Sequence, residues 1–220
     1  THYEDFMDIV LATRNKKKVE EMQRILNGMD INILTPDDFP SCPEVEEDMD
    51  TFEGNAVKKA LAITKCTNKI AVADDSGLEV YALNGAPGVM SARYAGEDAN
   101  DVSNIGKLLR EMKDTPDEQR GARFVCCIAL AFPDTPLAPP LIKGGQGGVI
   151  TFFGLAEGSI GREPRGRMGF GYDPVFYPSG YNMTFAEMSP EEKDALSHRG
   201  KALEEFKEYM KVHYPEYKEI

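Results

Sequence analysis

No run of apolar residues in this 220-residue chain approaches the ~20 needed for a membrane-spanning helix. The opening residues, Thr1 to Asp5, are too acidic for the basic segment of an export leader. Both absences lead us to expect a cytoplasmic protein with no membrane role. Cysteine is sparse as well: Cys42, Cys66, Cys126 and Cys127 show no metal-ligating spacing, and the adjacent pair on an apolar stretch reads as core thiols in a reducing compartment. Positive charge is in deficit, with 25 Lys and Arg against 37 Asp and Glu, a formal net charge of −12. That balance opposes a broad nucleic-acid or anionic-membrane surface. The chain also lacks internal repeats, a Ser-His-Asp order, HExxH, a CxxC pair and a Walker A sequence, so those chemistries have no local support. What is present is ordinary for a globular protein: 41% hydrophobic and 28% charged residues, in a chain long enough for one large domain or two joined lobes.

One stretch organises the rest. Ile70 to Ala73 is short and apolar and runs into Asp74-Asp75-Ser76-Gly77, which reads as a buried strand presenting two carboxylates and a hydroxyl at its carboxyl end. Ligands of open α/β sheets sit at such ends. Adjacent residues of an extended segment point to opposite faces, so one Asp serves a site while the other orients backbone. The same residues also fit an Asx turn closing a hairpin into Leu78 to Tyr81.

Upstream, Met7 to Ala12 reads as a strand, and Thr13-Arg14-Asn15 leads into a helix whose stripe is Val19, Met22, Ile25, Leu26 and Met29. Thr13 or Asn15 is its cap. Lys16, Lys17 and Lys18 fall in its first turn, where the helix dipole disfavours cations by ~0.3–1 kcal/mol each. An anion on the backbone N–H groups would turn that conflict into attraction, although solvated lysines can also tolerate it. Ile31 to Leu34 is a second strand, followed by an acidic loop containing Glu44, Glu46, Glu47, Asp48 and Asp50. A helix starts near Thr51, with Glu53 and Asn55 in its first turn.

Farther along, Asp98 to Lys113 has helical periodicity, and Ala122 to Phe132 is apolar enough for a central strand buried on both faces. Pro133 to Pro140 and Gly144 to Gly148 read as loop, followed by strands at Val149 to Phe153 and Leu155 to Ile160. The loop 161–173 carries Arg162, Arg165 and Arg167 with Phe170 and Tyr172, a composition able to stack on a planar ring beside positive charge. A plain surface loop has the same composition. Ser189-Pro190-Glu191-Glu192 is a helix start with a capping box, and Ser197-His198-Arg199-Gly200 interrupts that helix at a turn.

Six of these segments stand together as a pattern. They are Thr13-x-Asn15-x-x-Lys18, Thr51-Phe52-x-x-Asn55-Ala56, Ala73 to Leu78, Gly85-Ala86-Pro87-Gly88 with Ser91 to Tyr94, Gly169 to Pro174, and Ser197 to Gly200. In that order and spacing the chain resembles the inosine triphosphate pyrophosphatase, or Ham1-like, family, and its bacterial dITP/XTP branch in particular. The resemblance runs from about Ile9 to the last helix. It implies one domain over residues 1–220, of α/β class: a two-lobed fold with a central mixed sheet flanked by helices and an active-site cleft between the lobes. It implies Mg²⁺-dependent hydrolysis of the α–β phosphoanhydride of ITP, dITP and XTP to the monophosphate and pyrophosphate, by a homodimer. Carried over by motif, Thr13, Arg14, Asn15, Lys16, Lys17 and Lys18 bind the triphosphate, with Lys18 also catalytic. Asp75 is the general base and a metal ligand, and Ser76 contacts substrate. Phe170, Gly171, Tyr172, Asp173, Lys193, His198 and Arg199 form the nucleotide and base pocket.

One position departs from the family. Many relatives place Glu directly before the Asn of the second motif, where this chain has Gly54. One step along a helix rotates a side chain by ~100°, so Glu53, Glu46 and Glu47 are all candidates for the second metal carboxylate. A carboxylate of ordinary pKa at Asp75 suffices to orient an attacking water. A non-catalytic purine nucleotide sensor of the same fold is the alternative, but it would hold more negative charge beside a triphosphate than binding alone favours.

Overall fold

The computed structural model describes residues 7–133 and 148–215. Among these residues six strands, β1 (Met7–Leu11), β2 (Ile31–Leu34), β3 (Ile70–Val80), β4 (Gly121–Ala131), β5 (Val149–Ile160) and β6 (Phe176–Pro178), form one mixed sheet in the order β2-β1-β3-β4-β5-β6. The chain divides into two compact units, exchanging between them after Asp75, Cys126, Phe153 and Lys201.

The first unit is built from parallel crossovers. β1 (Met7–Leu11) pairs in parallel with β2 (Ile31–Leu34) and with the start of β3 (Ile70–Val80), Ile9 lying opposite both Ile33 and Ile70. Parallel neighbours need long connections. Helix α1 (Lys16–Ile25) supplies one and α2 (Phe52–Thr67) the next. Asn15 caps α1, its Oδ1 accepting from the N–H groups of Lys17 (3.1 Å) and Lys18 (3.2 Å). Thr51 caps α2 by accepting from Gly54 N–H at 3.0 Å, and Asn68 closes it in the left-handed region at φ 53°. Met22 and Leu26 of the α1 stripe are buried, as are Ala56, Ala60 and Ile63 of α2. Each large apolar side chain so buried contributes about 1.5–3 kcal/mol. The later turns of α5 (His198–His213) bury Leu203, Phe206 and Met210, with Phe206 edge-on to Phe152 at 5.9 Å.

The second unit has its own core. Leu78, Val80, Ile105, Leu108, Phe124, Ile160, Tyr172, Phe176 and Phe185 belong to one buried cluster. β4 (Gly121–Ala131) is buried along most of its length, and β5 (Val149–Ile160) pairs antiparallel with β6 (Phe176–Pro178). Arg120 is buried and donates to the carbonyls of Met112, Thr115, Ile160 and Gly161, which ties α3 (Asp101–Glu111) to the end of β5. Helix α4 (Pro190–Leu196) starts on the expected capping box: Ser189 accepts from Glu192 N–H, and Glu192 accepts from Ser189 N–H.

Four expectations change. β3 does not end at Ala73: it continues through both Asp residues to Val80, because Gly77 extends without breaking the strand, so the carboxylates sit mid-strand. Likewise Val149 to Ile160 is one strand, Gly154 being buried within its in-out alternation. His198 and Arg199 are not a surface turn; they form the first turn of α5 and are buried, with Ser197 Oγ accepting from Gly200 N–H. Finally, only Cys126 and Cys127 are buried free thiols, whereas Cys42 and Cys66 form a disulfide. The acidic loop lies along α2 and brings those two Cα atoms to 5.9 Å, within bridging distance. The loop expected over Pro133 to Gly148 lies outside the described residues from 134 to 147.

Candidate active site

In the first unit the chemistry gathers around Asp74 and Asp75. Asp74 is fully buried and its Oδ1 lies 2.5 Å from Lys18 Nζ. The ammonium of Lys59, also buried, donates to the Asp74 carbonyl at 2.6 Å and to Glu47 Oε1, and lies 3.9 Å from Asp75 Oδ1. The two Asp side chains thus meet different cations, as alternation along a strand requires. Burial pushes the Asp75 carboxyl up to about 6, helped by the Glu47 charge and opposed by Lys59 and Lys18. The expectation of an ordinary pKa is therefore corrected: withdrawal from water outweighs both lysines. For Glu47 burial raises the pKa too, but the Lys59 charge and hydrogen bond prevail and hold it below the usual carboxylate range.

The remaining predicted residues of this unit divide. Two of the first-turn N–H groups of α1 are taken by Asn15 itself, whose own N–H is held by Thr13 Oγ1 at 3.2 Å. Arg14, Lys16 and Lys17 are exposed; Arg14 lies 3.8 Å from Asp37 and Lys17 4.0 Å from Glu20. Of the three Glu candidates, Glu47 shares Lys59 with Asp75, Glu53 accepts from the Thr151 hydroxyl at 2.8 Å, and Glu46 is exposed. No group of three His, Cys, Asp or Glu side chains able to hold a metal occurs among the described residues. Glu47 and Asp75 nonetheless form an all-oxygen pair suited to a hard divalent cation. At Gly54 a Cβ would press on Met49 and on the capping Thr51 hydroxyl at 3.0 Å each, so a side chain here disturbs the helix start.

The second unit assembles an aromatic and cationic set. Asp173, buried, accepts from Phe170 N–H at 2.9 Å and from Lys193 Nζ at 2.6 Å. The Lys193 ammonium stands 4.9 Å, and the Arg199 guanidinium 5.7 Å, from the Phe170 ring centre. Gly169 and Gly171 flank that ring in the left-handed region at φ 71° and 61°, and a Cβ on Gly169 would run into the Asp173 carboxylate. Arg199 also donates to Ser76 Oγ at 2.9 Å, and Ser76 follows Asp75 directly in the chain. His198 stacks on Phe124 at 4.6 Å with nearly parallel rings. Tyr172 is not a stacking platform: it is buried and donates to the Ser91 carbonyl at 2.8 Å. Two of the loop arginines are engaged elsewhere, Arg162 with Asp117 and Arg165 with Glu163.

The comparisons decide the family, because a model of the Ham1 family matches residues 9–209. The chain belongs to the Ham1 family. A dITP/XTP pyrophosphatase of Desulforamulus reducens is 48% identical over 204 residues, covering 93% of this chain and 96% of that protein. One from Bacillus cereus is 44% identical over 205 residues, covering 93% and 95%. Among solved structures, a HAM1 protein from Coxiella burnetii aligns with a TM-score of 0.80 at 43% identity, covering 94% of this chain and 99% of that one.

Two residues of this Ham1-family chain escaped the sequence reading. Lys59 falls with Phe52, Ala56, Ala60 and Ile63 on the buried stripe of α2, and a lysine on an apolar stripe is itself a signal. Asp101, in the first turn of α3, accepts from Gly171 N–H at 2.8 Å and so pins the loop that carries Phe170. Its separation of 70 residues in sequence left no local trace.

Proposed function

We propose that the chain hydrolyses deaminated purine nucleoside triphosphates, ITP, dITP and XTP, to the monophosphate and pyrophosphate. The observation that carries the reading is Asp75: a buried carboxylate 3.9 Å from the Lys59 ammonium and within the field of Lys18, with its pKa raised to about 6. Such a group is mostly ionised at pH 7 yet more basic than an exposed Asp, the balance a general base needs. Asp75 orients a water and takes its proton as the water's oxygen attacks the α-phosphorus. The bond from that phosphorus to the α–β bridging oxygen then breaks, and pyrophosphate leaves. Lys18 and Lys59 stabilise the negative charge of the triphosphate. The side chains of Thr13, Arg14, Asn15, Lys16 and Lys17 contribute around it.

The donor set of Glu47 and Asp75 fits Mg²⁺, which binds through one or two carboxylates together with substrate phosphates. When bound, Mg²⁺ neutralises charge on the phosphate oxygens. Phe170 stacks on the purine. Arg199, His198, Lys193 and backbone N–H groups favour the 6-oxo acceptor of hypoxanthine and xanthine over the 6-amino donor of adenine. A polar site left unpaired by the wrong group discriminates by as much as ~10⁴. Cytoplasmic residence and a homodimer belong to the same proposal.

The test is incubation with Mg²⁺ and ITP, XTP, GTP or ATP separately, followed by identification of the phosphorus product. Pyrophosphate from ITP and XTP is expected. Orthophosphate in its place, or ATP consumed as fast as ITP, refutes the proposal.

A further inference from the structure

The acidic segment before α2 does not hang in solvent. It runs antiparallel along the helix, and its partners fall in number as its own residues rise. Cys42 is bonded to Cys66 in the last turn of α2, and Glu47 is paired with Lys59. Asp48 Oδ1 lies 2.5 Å from Lys58 Nζ. Met49 N–H donates to Asn55 Oδ1 at 3.0 Å, and Thr51 caps the first turn. The pair Asp48 and Lys58 is solvent-exposed, a class of interaction that holds little by itself. At the far end of the segment the disulfide is the covalent fastening.

We infer that Cys42 and Cys66 are positioning residues for Glu47: their disulfide holds the acidic segment against α2, so that the Glu47 carboxylate faces Lys59 and Asp75, and reducing it loosens that carboxylate. The inference rests on the reading of Glu47 and Asp75 as the cation-binding pair. Cys42 is buried whereas Cys66 is exposed, so a reductant approaches the bridge from the Cys66 side. A dithiol such as dithiothreitol attacks Cys66 Sγ as a thiolate and releases Cys42 as a thiolate. Its second thiolate then displaces Cys66, and the reagent leaves as a cyclic disulfide. Two electrons pass to the protein, and both cysteines take up a proton. Cys126 and Cys127 are buried, and burial holds the Cys127 thiol up near 12, so neither competes in the exchange.

The experiment titrates Mn²⁺ into the substrate-free protein and counts free ion by electron paramagnetic resonance. The samples are oxidised wild type, wild type reduced and then freed of dithiothreitol, Cys66→Ser, and the Cys42→Ser/Cys66→Ser double variant. Circular dichroism checks that each is folded. Loss of support around a ligand typically weakens metal affinity by 10–100-fold, so reduction and Cys66→Ser should each weaken Mn²⁺ binding by roughly tenfold. Reoxidation should restore wild type alone, and the double variant should not respond to reductant. Limited proteolysis should cut between residues 42 and 50 faster after reduction. Equal Mn²⁺ affinity in oxidised and reduced wild type, or no binding in either, overturns the inference, and this comparison stands even where a variant fails to fold. Pyrophosphate release from ITP, measured in parallel, separates the two readings. Turnover with redox-independent Mn²⁺ binding removes only the positioning role, whereas redox-dependent binding without turnover removes only the proposed function.

Discussion

Replacing Asp75 by Asn should abolish turnover and stabilise the fold at once. Burial lifts the Asp75 pKa from the ordinary 3.8 to about 6, so the folded protein binds this proton more tightly than the unfolded chain does. The associated stability is therefore fully present below pH 3.8 and is lost as pH rises through 6. Above that point the ionised buried carboxylate has lost about 3 kcal/mol relative to the protonated state, at about 1.36 kcal/mol per pH unit. Asn keeps the size and an acceptor oxygen for Asn55 but never ionises, so the variant escapes the loss. Linkage puts the resulting advantage of Asp75→Asn at about 1–2 kcal/mol at pH 5, rising to about 3 kcal/mol at pH 8. Lys59 does not become a buried orphan in the variant, because it retains Glu47 and the Asp74 carbonyl. The assay is urea unfolding of chelator-treated wild type and Asp75→Asn from pH 5 to 8, with a common slope against denaturant confirming that the same surface unfolds. A stability difference that is flat with pH, or that favours wild type at pH 8, refutes the reasoning.

Three further outcomes follow from single contacts. Lys193→Ala leaves the Asp173 carboxylate buried without its cation and should cost about 3–5 kcal/mol in denaturant unfolding. Asp101→Ala releases the Gly171 N–H and the loop carrying Phe170; the KM for ITP should rise roughly fivefold, corresponding to about 1 kcal/mol, with kcat little changed, and Asp101→Asn should restore it. Glu47→Gln should raise the Mg²⁺ concentration for half-maximal activity by roughly tenfold or more, whereas Glu46→Gln, at an exposed position, should leave it unchanged.

Local chemistry made much of the fold legible. The caps at Asn15, Thr51 and Ser189 are each a polar side chain placed where helix N–H groups need an acceptor, and a few neighbouring residues suffice to find them. The apolar run at Ile70 announced a strand, but its length depended on neighbours that pair it beyond Gly77, and no residue in the run records those. The same holds for Gly154, which reads as a break until the alternation on either side is seen to stay in phase. In the candidate site, Asp75, Lys18, Phe170 and Arg199 were marked by motif. Their electrostatics were not, since the raised Asp75 pKa comes from burial and from Glu47, 28 positions away in number. An aromatic among glycines serves a core as readily as a ligand, and the Tyr172 hydroxyl is spent on the Ser91 carbonyl. The disulfide was invisible for a similar reason: Cys42 and Cys66 meet only because the acidic segment folds back along α2.

The proposed reaction is attack by water at the α-phosphorus of a deaminated purine triphosphate, with Asp75 as base. Hydrolysis of ITP in ¹⁸O-labelled water, read by mass spectrometry of both products, tests it directly. The label should appear in inosine monophosphate and not in pyrophosphate, and Asp75→Asn should yield no labelled monophosphate. Label in pyrophosphate or in orthophosphate, or full-rate labelling by the Asp75 variant, would contradict it.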